Sequence, residues 1–141
     1  MTPGWNIVSA SFLAPAATVE LFDSRIAPHL QSGKLGRYAQ FHLQDALERA
    51  EGGAMRLVLG YRRSLLYLVS NALEERARVP VVGMAKFFDA KVAPRNLPHL
   101  EYRVAPSSPA TGATKHGNVD DDARTQASVL AHIQGKPIPL P

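Results

Sequence analysis

Short apolar runs that suit strands alternate along this chain with segments whose apolar residues recur at helical spacing. No other feature restricts its fold as tightly. The run Asn6-Ile7-Val8-Ser9-Ala10-Ser11-Phe12-Leu13 holds apolar and small residues without a charge, the pattern of a strand buried on both faces. Pro15 stops it. Thr18 then offers a side-chain cap to a helix on which Val19, Phe22, Ile26 and Leu30 share a face, and Gly33 suits the exit. Leu35 to Leu43 reads as a second strand. Tyr38, Gln40 and His42 alternate there with Ala39, Phe41 and Leu43, and the second set is predicted to meet a helix layer. Ala46 to Ala50 allow one helical turn before Gly52-Gly53.

Ser64 to Arg76 is the clearest helix. Leu65, Leu68, Val69, Ala72 and Leu73 mark its apolar stripe, widened by Leu66 and Tyr67. Pro80 to Met84 is a short extended piece, and Leu100 to Val104 is a further strand candidate. Ala105 to Gly117 has the composition of a loop. Asn118 or Asp120 opens a last helix through Ile133, with Ala123, Ala127, Leu130 and Ile133 inward and Asp120, Asp121 and Asp122 in the first turn, where carboxylates suit the helix dipole. Strands alternating with helices predict an α/β fold: a partial, mostly parallel sheet of three to four strands with flanking helices. A length of 141 residues suits one domain, placed over residues 1–134 with an extended Pro-rich tail at 135–141. A sheet so small, beginning so near Met1, predicts that a partner chain or a second copy supplies further strands, since the edge at Asn6–Leu13 is otherwise unpaired.

Composition narrows the chemistry. Sixteen Lys and Arg against twelve Asp and Glu give a formal charge of +4, a mild excess that is not concentrated as in nucleic-acid binders. The absence of cysteine excludes a disulfide scaffold, a Cys-ligated zinc, an iron–sulfur cluster and a cysteine nucleophile within this sequence. No apolar run reaches the roughly 18–20 residues of a membrane helix. Trp5 to Ala17 is apolar, but no Lys or Arg precedes it and the first basic residue is Arg25. That favours a strand over a signal peptide, and a cytoplasmic protein. Neither G-x-G-x-x-G nor a P-loop occurs, so no nucleotide cofactor is expected, and none of another kind is implied.

Two residues stand out by context. Asp45 follows the second strand, and His116 lies in the loop after the last one. Ligands of open α/β sheets sit at that carboxyl edge. An acid there can hold an imidazole tautomer while the other ring nitrogen takes a proton. The bland alternatives are a turn cap for Asp45 and a solvated loop residue for His116. Asp120-Asp121-Asp122 with His116 could suggest a metal, but adjacent aspartates on a helix do not converge, and a dipole-favourable first turn explains them better. His29, His42, His99 and His132 lack ligand spacing and read as structural. Tyr61, Arg62, Arg63, Tyr67, Arg76 and Arg78 could make a basic aromatic patch for RNA, or simply wet helix ends.

The order of the segments resembles the C-terminal half of an α/β-hydrolase. Leu13-Ala14-Pro15-Ala16 and a helix lead to a strand ending His42-Leu43-Gln44-Asp45. The helix Ser64-Leu65-Leu66-Tyr67-Leu68-Val69-Ser70, a strand and Lys115-His116-Gly117-Asn118-Val119-Asp120 follow. These, with Pro80-Val81-Val82-Gly83-Met84, are similar to bacterial hydrolase-like proteins with a His-Gly-x-x-Asp-x-Asp ending. The resemblance spans Ile7 to Ile133. It implies a serine hydrolase fold with chain order Ser, acid, His, ester or acyl hydrolysis of a small molecule, Asp45 as the orienting acid and His116 as the base. No G-x-S-x-G elbow occurs in the sequence, so the nucleophile half is lacking and no activity is expected from this chain alone. A non-catalytic interaction module on the same scaffold and a basic nucleic-acid-binding protein are the alternatives.

Overall fold

A computed structural model describes residues 6–51, 64–73 and 78–141 of the chain. Three parallel strands form one sheet in chain order: β1 (Ala10–Leu13), β2 (Tyr38–Leu43) and β3 (Leu100–Ala105). Helices α1 (Val19–Arg25) and α2 (Ala27–Gln31) connect β1 to β2. After β2 come α3 (Asp45–Ala50), α4 (Leu65–Leu68, continued by a π turn Val69–Leu73) and α5 (Ala85–Lys91). A 3₁₀ turn His116–Asn118 and the last helix, α6 (Ala123–Ile133), follow β3. A parallel sheet with flanking helices is the α/β architecture that the alternation of patterns predicts.

The central strand is buried on both faces. On one face Tyr38 packs with Val19, Phe22, Leu30, Val82, Phe88 and Val92; on the other Ala39, Phe41 and Leu43 pack with Ala105, Ala110, Val119 and Ile138. The expectation that one set of β2 side chains meets a helix layer is therefore too narrow. The polar set is buried as well, its members bonded to one another and to a backbone carbonyl, with His42 Nε2 left without a partner among the described residues. Tyr38 donates to Gln40 Oε1 at 2.6 Å, and Gln40 Nε2 donates to Val82 O at 2.7 Å and lies 3.1 Å from His42 Nδ1.

The first strand differs from its reading. It runs only from Ala10 to Leu13 and is half-buried rather than buried on both faces, because among the described strands it lies at the sheet edge with one neighbour. Ile7 makes an isolated bridge to Leu35, and Ile7 and Val8 are 52% and 72% exposed. In α4, Ser64 Oγ accepts from Tyr67 N–H and the Ser64 N–H donates to Glu48 O at 3.0 Å. That anchor turns Leu66 and Tyr67 inward and leaves Leu65 outward, so the first residue of the expected stripe faces solvent. Residues 74–76 of that expected helix lie outside the described residues.

The last helix is the largest correction. Its N-cap is Asp122, not Asn118 or Asp120, and Asp122 accepts from Thr125 N–H at 2.8 Å and Gly112 N–H at 2.9 Å. The stripe Ala123, Ala127, Leu130 and Ile133 faces outward, with Leu130 and Ile133 55% and 58% exposed. The buried face is Thr125, Ser128 and His132. Each of these polar residues has a partner distant in sequence, although His132 Nε2 is buried without one among the described residues. Thr125 Oγ1 lies 2.7 Å from Thr111 Oγ1, Ser128 donates to Ala110 O at 2.7 Å, and His132 Nδ1 lies 3.0 Å from Ser11 Oγ. Residues 136–141 of the tail form neither helix nor strand. Ile138 is its buried anchor, its N–H donating to Glu101 Oε2 while Arg103 donates to the carbonyls of Ile138 and Pro139.

Candidate active site

The carboxyl ends of β2 and β3 lie side by side, Leu43 opposite Ala105, and Gln44 N–H donates to Ala105 O at 2.9 Å. The two loops that carry the expected residues leave from this rim. β2 runs directly into α3, whose first turn holds Asp45 and Glu48. From β3 the chain crosses a loop braced by mutual backbone bonds between Ser107 and Thr111, with Ala110, Thr111 and Ala113 buried, and turns at His116. Asp45 and His116 thus stand at the same edge of the sheet.

They are not bonded to each other. Asp45 Oδ1 accepts from the Tyr67 hydroxyl at 2.7 Å, and Oδ2 lies 3.1 Å from Arg49 Nε one turn along α3. The carboxylate that meets the imidazole is Glu48, three residues on. Its Oε1 lies 3.3 Å from His116 Nδ1, and the residue is 1% exposed. Residues three apart on a helix share a face, so the step from Asp45 to Glu48 keeps the same rim. Glu51, at the C-cap of α3, accepts from the His116 N–H through Oε2 at 2.7 Å. One carboxylate therefore fixes the backbone of His116 and another its ring.

The electrostatics follow this geometry. The hydrogen bond to Glu48 raises the His116 pKa above the ordinary histidine value. Burial works against it, and the charges of Glu48, Glu51 and Asp120 add to it. Glu48 Oε2 is buried and has no hydrogen-bond partner among the described residues. Glu48 escaped the sequence reading. Its signal was available: it is an acid one turn after Asp45 on a segment already read as helical.

Three of the described serines are engaged elsewhere. Ser64 Oγ caps α4, Ser70 donates to Val79 O, and Ser11 pairs with buried His132. Asp122 is occupied as the cap of α6, and among the described residues no three His, Asp or Glu side chains gather as a metal would need. Of the basic aromatic patch, Tyr61, Arg62, Arg63 and Arg76 lie outside the described residues. Tyr67 is buried under Lys86, whose Nζ lies 4.2 Å from the ring centroid. Among the described residues no helix is long and apolar enough to cross a membrane. Comparisons with known protein families, curated proteins and solved structures found no match to the chain.

Proposed function

We propose that the chain carries the acid–base half of an acyl-hydrolysing site of the α/β-hydrolase type, with the serine nucleophile supplied from outside these 141 residues. The observation that carries the reading is the bond between His116 Nδ1 and the buried carboxylate of Glu48 at the carboxyl rim of a parallel sheet, where α/β proteins assemble their sites. The order of segments, which resembles the late part of that fold, supports it. With Nδ1 held by a carboxylate, Nε2 is the nitrogen that takes the proton of a serine hydroxyl as its oxygen attacks an ester carbonyl. It then returns that proton to the leaving alkoxide, and water releases the acyl group by the same exchange. The resemblance gives the orienting role to Asp45; the hydrogen bond gives it to Glu48. The hydrogen bond that raises the His116 pKa is the one that stabilises the imidazolium formed when the ring takes that proton.

The test is hydrolysis of p-nitrophenyl acetate. The chain alone is expected to give no turnover above buffer, since both the nucleophile and the oxyanion hole beside it would be lacking. Co-expressed with a polypeptide carrying a G-x-S-x-G elbow, it is expected to give turnover that His116→Ala abolishes. Turnover by this chain alone, abolished by His116→Ala, would overturn the account of the nucleophile. A co-expressed complex inert to esters would overturn the reading itself. One observation favours a second reading, an interaction module on this scaffold: β1 ends the described sheet with its outer edge unpaired. Association through that edge, with a second copy or a partner chain, belongs to both readings.

A further inference from the structure

The outer edge of β1 has features that specify what would bind it. Ala10 N–H donates to Arg37 O at 2.9 Å and Ala14 N–H to Phe41 O at 2.7 Å, both toward β2. The alternation of a strand turns the N–H and C=O groups of Ser11 and Leu13 the other way, and no described strand receives them. Exposed edges in water normally carry a charge, a proline or a bulge that discourages pairing. Ser9-Ala10-Ser11-Phe12-Leu13 has no charge and no proline.

Beside this edge, between β1 and the pair α1–α2, lie two adjoining cavities of about 290 and 320 Å³ that share Phe12 and Ile26. Phe22 and Tyr38 help line the first and Leu35 the second. The basic groups at their margins are Arg25 in the first, and His29 and Lys34 in the second; no Asp or Glu among the described residues lines either. Open backbone, an apolar trough and a cationic margin therefore lie side by side.

We infer that this edge receives an extended segment of a partner protein, added to the sheet as a further strand whose trough-facing side chains are apolar at the centre and acidic at the ends. Its backbone pairs with Ser11 and Leu13, its apolar side chains enter the two cavities, and its carboxylates meet Arg25 and Lys34. A second copy presenting its own β1 fits poorly. It would bring two sets of Arg25, His29 and Lys34 together and offers no carboxylate between Ser9 and Leu13. The inference refines the association named above and stands apart from acyl hydrolysis, since it needs no activity.

The test uses the full chain and fluorescein-labelled synthetic peptides of about eight residues, a typical strand length, with valine at the two central trough-facing positions, glutamate or lysine at the two outer ones, and serine between. The glutamate peptide is expected to bind by fluorescence anisotropy and the lysine peptide not to. Charge reversal by Arg25→Glu with Lys34→Glu, both exposed, is expected to weaken the glutamate peptide about tenfold. N-methylation of the peptide at one set of alternate residues is expected to abolish binding, and at the other set to spare it; this arm needs no protein variant. Equal affinity for both peptides, no binding, or binding indifferent to N-methylation would overturn the inference. The last result would mark an anionic amphiphile in the trough rather than a strand. A dimer by sedimentation that excludes the peptide would overturn it in favour of a second copy.

Discussion

His42 shows what a single residue contributes. Its ring is buried between Phe88 and Tyr102, with centroids 5.0 and 5.9 Å away, and Gln40 Nε2 donates to its Nδ1. The proton of the neutral ring therefore sits on Nε2, which is buried with no partner among the described residues. Burial lowers the pKa to about 4. The sign follows from linkage: the unfolded chain, with an ordinary histidine, binds more protons between about pH 6.5 and 4. Stability from this residue is complete above that window and is lost as pH falls through it, on the order of 3 kcal/mol in all. Urea midpoints are expected to fall from pH 7 to pH 4, and His42→Phe, which keeps the ring stack, to flatten that fall. His132, lowered by burial and by Arg37, adds to the same slope. His116, raised, has the opposite sign: its contribution is complete below the unfolded pKa and is lost as pH rises through the folded one. An equal slope in wild type and His42→Phe would contradict the assignment. The reading of His42 as structural rested on the lack of ligand spacing around it, and its stacked, buried ring is a structural role.

Among the elements, caps were legible where the signal is local and illegible where it is not. Thr18 accepts from the Leu21 N–H, as its type and position suggest, and Ser64, expected as the first helical residue, is instead the cap that accepts from the Tyr67 N–H. Helix α5 begins after Met84 with no side-chain cap, so it carries no start signal and was not foreseen. The inward face of α6 was misread because Thr125, Ser128 and His132 are matched by Thr111, the Ala110 carbonyl and Ser11, partners that only the folded loop and strand bring close. Asp122 serves both ends of that arrangement, accepting from Gly112 N–H and from the Thr125 N–H and hydroxyl. Asp122→Ala is expected to cost about 1–2 kcal/mol in denaturant unfolding, and no change would contradict its role. Gly83 joins two elements: a Cβ there would collide with Pro15 O and lie 2.8 Å from Ala14 C, both backbone. Neither atom can yield without moving the exit of β1, so Gly83→Ala is expected to destabilise by about 3 kcal/mol. A variant as stable as wild type would show that this approach is not required.

For the whole molecule, the parallel α/β architecture was legible because it follows from the order of periodic segments, and the shared rim of Asp45 and His116 follows from that architecture. Which acid meets the imidazole was not legible, because it depends on how the loop between Ala105 and His116 packs over α3. Glu51 and Glu48 fix that placement through the backbone and ring of His116. The candidate site is thus a product of topology first and of loop packing second. It is tested most directly by titrating the His116 ring by NMR in the wild type, Glu48→Gln and Asp45→Asn. The account predicts a wild-type pKa above that of an ordinary histidine, a fall in Glu48→Gln and little change in Asp45→Asn. A His116 that titrates alike in the wild type and Glu48→Gln, or that responds to Asp45→Asn instead, would contradict it.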